Sequence, residues 1–457
     1  MIFAAAVLAV LGAAAVVYAR RAWLQSSALE RQLMDTRAQQ AEHHKEDLHR
    51  ADQVRERIEA QIRCLREETS SLARDLAQLG TRIGSLSSGV TDLTSQVTIG
   101  FGPGIEAINT RISAVVEMVE ILSRKPLAGP IDTGHLETKT EEQVIALAQS
   151  LVFLRPLVPY PKWRFDMDWA NPDLAFLLRQ RLWQYFNDRE REAEIIVNWH
   201  CGTRIRLRLG NDLSRQIYIA GCIDPNEFVF LDRLLQAGMT FLDAGANEGI
   251  YTVFAAKRVG PAGTVWAFEP SQREISRLQQ NLELNALNVR VFPLALAERA
   301  GDAEMALATY GHEGLNTMGQ FVHDIGESRQ ESIRLARLDD VIRESPLARL
   351  DVMKIDVEGA ELRLLQGAAS ALARYRPILL VEAFDATLRQ QGASLEELLD
   401  YIRTRGYDLY SFDRYSGLPS RAGSGGWSDN MVAVPAEMVL PDAVYQPWPM
   451  PGSDKVW

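Results

Sequence analysis

Three apolar runs in the C-terminal half of the chain each end in a carboxylate beside glycine or proline. They are Phe241-Leu-Asp-Ala-Gly-Ala-Asn-Glu-Gly249, Trp266-Ala-Phe-Glu-Pro270 and Met353-Lys-Ile-Asp-Val-Glu-Gly-Ala-Glu361. Strands buried on both faces read as near-continuous apolar segments, and small ligands collect where the strands of an open α/β sheet finish. The pattern predicts a parallel sheet with a cofactor at its C-terminal edge. From Phe228 onward strand and helix signals alternate with short connections: strands at 240–243, 264–269, 289–293, 352–356 and 378–382, with helices at 249–258, 272–287 and 360–373. Such alternation requires helices on both faces of a doubly wound, mostly parallel sheet. Tyr407 to Phe412 and Asn430 to Val434 read as a terminal antiparallel pair.

The rest of the 457 residues has a different character, as expected of a chain too long for one core. Ile2 to Ala19 is uninterrupted and apolar, and Arg20, Arg21 and Trp23 follow at once. At 1.5 Å per residue it just spans a hydrocarbon core of roughly 30 Å, and the basic residues after it place the following chain on the cytoplasmic side. Between Leu48 and Val97 apolar residues recur at alternating spacings of three and four, a heptad seam that predicts a coiled coil and a homo-oligomer. Gly100-Phe-Gly-Pro-Gly104 interrupts it, and the seam resumes from Ile105 to Leu122. Residues 140–190 carry two helical patterns and an aromatic cluster that includes Trp169, Phe176, Trp183 and Phe186; they read as a cap with its own core. Period-two alternation from Ile195 to Ile219, broken at Gly210-Asn-Asp212, predicts a hairpin.

A net charge of −11 and the lack of a concentrated basic face argue against a nucleic-acid partner. The three cysteines, Cys64, Cys201 and Cys222, form no Cys-x-x-Cys pair; they fit a reducing compartment and no zinc site. Within the first strand-end loop, Gly245 and Gly249 permit tight turning, and Glu269 ends the next strand, where a carboxylate can accept hydrogen bonds from ribose hydroxyls. A nicotinamide dinucleotide would want Gly-x-Gly-x-x-Gly there. Instead Asn247 stands near the second glycine position between Asp243 and Glu248, which suits a cationic ligand better than a pyrophosphate.

At these residues the chain resembles the FkbM-type family of S-adenosylmethionine-dependent methyltransferases. The resemblance spans about Trp163 to Val434 and rests on the Asp243 loop, on Phe268-Glu-Pro270 with Asn281 and Asn285, and above all on Lys354-Ile-Asp-Val-Glu-Gly-Ala-Glu361. It implies a seven-stranded, class I methyltransferase-like (Rossmann-like) fold and methylation of hydroxyl oxygens on sugars or other natural products. It also implies S-adenosylmethionine held by Asp243, Gly245, Asn247 and Glu269. Ile223-Asp-Pro225 departs from the family's usual Tyr-Glu-Pro.

Asp356 and Glu358 end the fourth strand and are the first candidates for orienting or deprotonating an acceptor hydroxyl, with Glu358 alternatively binding its own glycine turn. Lys354 is a salt-bridge partner or an acceptor-side group, Glu382 closes the fifth strand, and His312 lies in a glycine-rich loop with a pKa suited to a base. No dedicated metal site is expected.

The expected organisation is a transmembrane anchor at 1–23, a coiled-coil stalk at 24–123 with a break at 100–104, and a linker at 124–139. A helical cap and β-hairpin at 140–227, a methyltransferase domain at 228–440 and a tail at 441–457 complete it. The resulting expectation is a single-pass membrane protein whose cytoplasmic domain O-methylates a glycan or lipid-linked saccharide. The alternatives are a non-catalytic coiled-coil scaffold and an NAD-dependent sugar-modifying enzyme.

Overall fold

The computed structural model describes residues 136, 139–152, 166, 168–170, 172, 174–308, 316–319, 328–413, 416–421 and 430–446. The apolar run at 2–19, the heptad region, its joint at 100–104 and His312 lie outside the described residues. Among the described residues no helix is long and apolar enough to cross a membrane. The chain divides into two compact units, Met1–Leu151 and Val152–Trp457. In the first, helix α1 (Glu141–Leu151) opens on a reciprocal pair in which Thr140 Oγ1 accepts from the Gln143 amide and Gln143 Oε1 accepts from the Thr140 amide. This capping box satisfies two donors that the first turn would otherwise leave free.

In the second unit, helix α2 (Leu174–Asn187) precedes the hairpin of β1 (Ala193–Asn198) and β2 (Arg204–Leu209), helix α3 (Asp212–Ala220) and helix α4 (Pro225–Leu234). The hairpin turns at His200–Gly202 and not at Gly210–Asp212. The cause is Asn211, whose side chain accepts from the Ser214 amide and starts a helix where the alternation had suggested a second strand. Phe176, Trp183 and Phe186 of the aromatic cluster are buried, and Trp183 donates its indole N–H to the Asn211 carbonyl.

The main sheet comprises β3 (Thr240–Ala244), β4 (Thr264–Phe268), β5 (Arg290–Phe292), β9 (Val352–Ile355), β10 (Ile378–Glu382), β11 (Tyr407–Phe412), β12 (Pro419–Arg421) and β13 (Asn430–Pro435). Their order is β12-β11-β13-β10-β9-β3-β4-β5. The pairs β5–β4, β4–β3, β3–β9 and β9–β10 are parallel, whereas β13 is antiparallel to both β10 and β11. The sheet has eight strands where seven were expected. The extra one, β12, is a three-residue edge strand beginning at Pro419, too short to show a period.

Helix α5 (Ile250–Val259) follows β3, and α6 (Gln272–Leu284) follows β4. The helix expected at 360–373 is two, α8 (Glu361–Gly367) and α9 (Ala369–Tyr375), after a short α7 (Leu338–Glu344). Helices α10 (Asp385–Gln390) and α11 (Leu395–Arg403) follow β10. Leu242, Met353, Ile355, Leu379 and Val381 are inaccessible to solvent, which is why these segments read as unbroken apolar runs. Between β5 and β9 the chain forms a second small sheet of β6 (Ala295–Leu296), β8 (Ser328–Ala336) and β7 (Gly301–Ala308), in that order. It packs around Met305, Leu307 and Ile333 and was illegible in sequence because β8 is mostly polar.

Strand order reverses at β3, which leads to β4 on one side and lies against β9 on the other. Such a switch point leaves a crevice beyond the C-terminal ends of the strands, since neighbouring connections run to opposite faces. The functional residues gather there.

Candidate active site

The crevice is a cavity of about 380 Å³, within the range that holds a small molecule. One wall is the β3–α5 loop. The Gly245 and Ala246 amides both donate to the Phe268 carbonyl at 3.0 Å, which bends the loop over the end of β4. Gly245 has φ +80°, and a Cβ there would lie 1.7 Å from the Asp356 carbonyl oxygen, so only glycine fits. Asn247 also takes a positive φ of 48°, and its side chain accepts from the Glu248 amide at 2.7 Å. Gly249 ends the loop beside Leu278 of α6 and does not line the cavity.

Glu269 lies just past β4 and faces the cavity. Its two carboxylate oxygens accept from the Asn247 and Ser271 amides, each at 2.9 Å. Burial pushes its carboxyl up to about 7 even though both amides favour the ionised form.

Asp243 sits elsewhere than the resemblance implied: it is fully buried and does not line the cavity. One oxygen accepts from Thr252 Oγ1 at 2.5 Å, and the other lies 3.8 Å from Lys354 Nζ. Strand β3 carries Leu242 and Ala244 in its packed core, so the intervening Asp243 points to the opposite face, beneath α5. Glu248 lines the cavity, but its carboxylate is buried and already paired. Its carboxylate pairs with Arg277 at 2.7 Å and Arg208 at 3.6 Å, so the loop's expected phosphate-repelling charge comes from other carboxylates of the cavity. Asn281 and Asn285, one turn apart on α6, accept from the amides of Arg206 and Arg204 and so clamp the β2 edge to that helix.

Lys354 lies behind the loop with its ammonium 3.0 Å from Asp356, 3.5 Å from the Gly245 carbonyl and 4.6 Å from the Tyr251 ring centre. Burial disfavours this charge, but Asp356 and Asp243 outweigh it and hold its pKa above the ordinary lysine value. Of the two readings of Lys354, its contacts give the salt-bridge partner, a strut between β3 and β9 whose residue also lines the cavity. Tyr251 donates its hydroxyl to Asp224 at 2.9 Å, so the aspartate of Ile223-Asp-Pro225 reaches the cavity wall.

The turn after β9 is held by Glu361, whose Oε1 accepts from the Val357 amide at 3.1 Å and the Gly359 amide at 3.0 Å. Glu361 thus performs the backbone role considered for Glu358. The Glu358 side chain is left on the cavity, its backbone in the left-handed region at φ 52°. Asp356 and Glu382 line the same end. Burial first, then the neighbouring Asp356, pushes the Glu358 and Glu382 carboxyls well above the usual range. The apolar part of the lining includes Phe268, Leu294, Met305 and Met318. Met305 and Met318 come from the β7 strand and the described piece of chain after it, residues no sequence signal had singled out.

Among the described residues one group of potential metal ligands converges, His200, Cys201 and Asp232, within 4.8 Å of one another. The adjacent His200 and Cys201 were its trace in the sequence, and none of the three lines the cavity. His200 Nε2 is 2.8 Å from Asp232, with Arg258 at 3.5 Å from the same carboxylate oxygen. Burial works against the imidazolium, but Asp232 and Cys201 raise its pKa to about 9. A histidine pKa raised on folding adds stability that is complete below its unfolded value of about 6.5 and is lost as pH rises through 9. Urea unfolding at pH 6 and pH 9.5 should therefore differ by about 3 kcal/mol more in the native protein than in Asp232→Asn. Equal differences in the two proteins would contradict the ion pair.

The parallel sheet with its antiparallel β13 inserted beside β10, and a glycine cradle and buried acid at the switch point, define the class I methyltransferase-like architecture. Residues 243–409 match the Methyltransferase FkbM domain. This stretch of the chain is thus a methyltransferase FkbM domain. It is 33% identical over 274 residues to the AMB antimetabolite synthetase AmbE of Pseudomonas aeruginosa, a match covering 51% of this chain and 13% of that protein. It is 28% identical to the 31-O-demethyl-FK506 methyltransferase FkbM of Streptomyces tacrolimicus, over 38% of this chain and 75% of the relative. The Hexuronic acid methyltransferase AglP of Haloferax volcanii is 25% identical over 28% of this chain and 50% of its own length.

Proposed function

We propose that the second unit transfers a methyl group from S-adenosylmethionine to a hydroxyl oxygen of a saccharide or similar polyhydroxylated acceptor. The observation that carries this reading is Glu269, a buried carboxylate that faces the cavity beside a loop too tight for any side chain at position 245. A carboxylate at that strand end accepts from the hydroxyls of a ribose, and the Phe268, Leu294 and Met305 wall offers an apolar slot for a purine. The remaining carboxylates suit a positively charged donor. The O-methyl positions named in the relatives support a hydroxyl acceptor.

When bound, S-adenosylmethionine supplies an electrophilic methyl on a positively charged sulfur. The Gly245–Asn247 backbone and Glu269 would hold and orient it, and positioning of the acceptor in line would supply much of the rate. Asp356, Glu358 and Glu382 face the acceptor side. A carboxylate of this set would accept the proton of the acceptor hydroxyl.

Calorimetry of the full-length protein with S-adenosylmethionine tests the reading, together with transfer of labelled methyl to saccharides. Glu269→Ala is expected to weaken binding by about 1.5–3 kcal/mol, roughly 10- to 150-fold. Because the ionised form accepts the ribose hydroxyls, affinity should fall as pH is lowered through about 7, and Glu269→Gln should flatten that dependence. Absence of heat and of any thermal shift would sink the assignment, and unchanged affinity in Glu269→Ala would move the ligand elsewhere.

The apolar run at 2–19 and the heptad spacing at 48–97 support a membrane anchor and a homo-oligomeric stalk that hold this unit at the cytoplasmic face. Deletion of residues 1–23 should then release the protein from sedimented membranes.

A further inference from the structure

The acceptor end of the cavity is built from the ends of two adjacent strands. Val381 of β10 pairs with Ile355 of β9, so Glu382 and Asp356 are the next residue on each strand, and Glu358 follows in the turn. All three line the cavity, with Asp224 and Glu269 further along the wall. Among the described lining residues the only cation is Lys354, and its ammonium is already shared between Asp356 and Asp243. Glu382 Oε2 is closed to solvent and has no hydrogen-bond partner. A buried acceptor atom left unpaired is disfavoured, so a donor brought by a ligand is favoured there. The turn is too firmly held to relieve the crowding, since Glu361 takes two of its amides and Thr317 donates to the Glu358 carbonyl at 3.2 Å.

S-adenosylmethionine would bring one net positive charge to a site lined by seven carboxylates, of which Glu248 is already paired with Arg277 and Arg208, and one neutralised ammonium. We propose that the acceptor carries a protonated amine near the hydroxyl that is methylated, an amino-sugar-like polyol, bound by Asp356, Glu358 and Glu382. This rests on the cofactor site proposed above. The groups that face Glu358 and Glu382 are each other, Asp356, Glu361 and Lys354, and burial together with the neighbouring acids pushes both carboxyls up. An arriving ammonium reverses the balance: the carboxyls ionise, a proton leaves to solvent, and the freed carboxylate is ready to accept the proton of the neighbouring hydroxyl. The amine itself stays protonated beside these acids and is no nucleophile, which directs the methyl to oxygen.

The test uses full-length protein saturated with S-adenosylhomocysteine and titrated at constant ionic strength with glucosamine, glucose, N-acetylglucosamine and glucuronic acid. Glucosamine is expected to bind about tenfold more tightly than the two uncharged sugars, the scale of one partly buried charge pair, and glucuronic acid most weakly. The heat of glucosamine binding should change with the ionisation enthalpy of the buffer, reporting the released proton. Glu382→Gln and Glu358→Gln should each reduce the preference while leaving the melting temperature and the S-adenosylhomocysteine affinity in place. Equal or tighter binding of glucose or glucuronic acid, binding of none of the four, or a preference that survives both variants would overturn the inference and leave the cofactor assignment standing. Failure of S-adenosylhomocysteine itself to bind would remove that assignment and the inference with it.

Discussion

Gly245→Ala is expected to abolish cofactor binding, by at least about 100-fold, and to cost about 2–4 kcal/mol of stability. The added methyl would stand 1.7 Å from the Asp356 carbonyl, and no flexible side chain is there to give way. Either the β3 loop lifts from β9 or the turn after β9 moves, and both form the cavity wall. Gly260→Ala supplies the comparison. Its φ of +65° is equally unfavourable for alanine, but nothing lies within 4 Å of the new methyl. Urea unfolding should give about 1–3 kcal/mol for Gly260→Ala, from the backbone alone, with cofactor binding unaltered. If the two variants behave alike, the close approach of Gly245 to Asp356 is not what shapes the site.

Lys354→Met should destabilise the protein by about 3–5 kcal/mol at neutral pH, because it leaves Asp243 buried without its countercharge. Asp243 is fully buried; Thr252 hydrogen-bonds its carboxylate, and Lys354 is the cation recorded against it. Combining the change with Asp243→Asn should recover most of the loss, since the uncompensated charge is then gone. A loss under about 1 kcal/mol in the single variant, or no recovery in the double, would show that the ammonium carries little of the load between β3 and β9.

Much of the sheet was legible because its strands are buried on both faces. Thr240–Ala244, Thr264–Phe268, Val352–Ile355 and Ile378–Glu382 advertise themselves as apolar runs bounded by glycine, proline and acids. What the sequence hid were elements without a period or with a polar one. The hairpin turn at His200–Gly202 carries no Asn-Gly or Asp-Gly signal, and Gly210-Asn-Asp212 looked more like a turn although it caps a helix. The β7–β8 pair has a polar outer strand and a core of only a few side chains, too little to mark its pattern.

The residue types and their spacing determined a class of chemistry: carboxylates and glycines at the ends of parallel strands, hence a small cationic ligand at a switch point. They could not say which acid faces that ligand. Asp243, Glu248, Glu269 and Glu361 are all carboxylates within or beside the same motifs, yet only tertiary packing sends one to Lys354, one to Arg277, one into the cavity and one onto the amides of its own turn. The reason is that a side chain's direction follows from the strand face and from partners far away in sequence. Leu242 and Ala244 commit Asp243 to the opposite face, Arg277 arrives from α6, and the turn closes on Glu361, leaving Glu358 and Glu382 on the cavity.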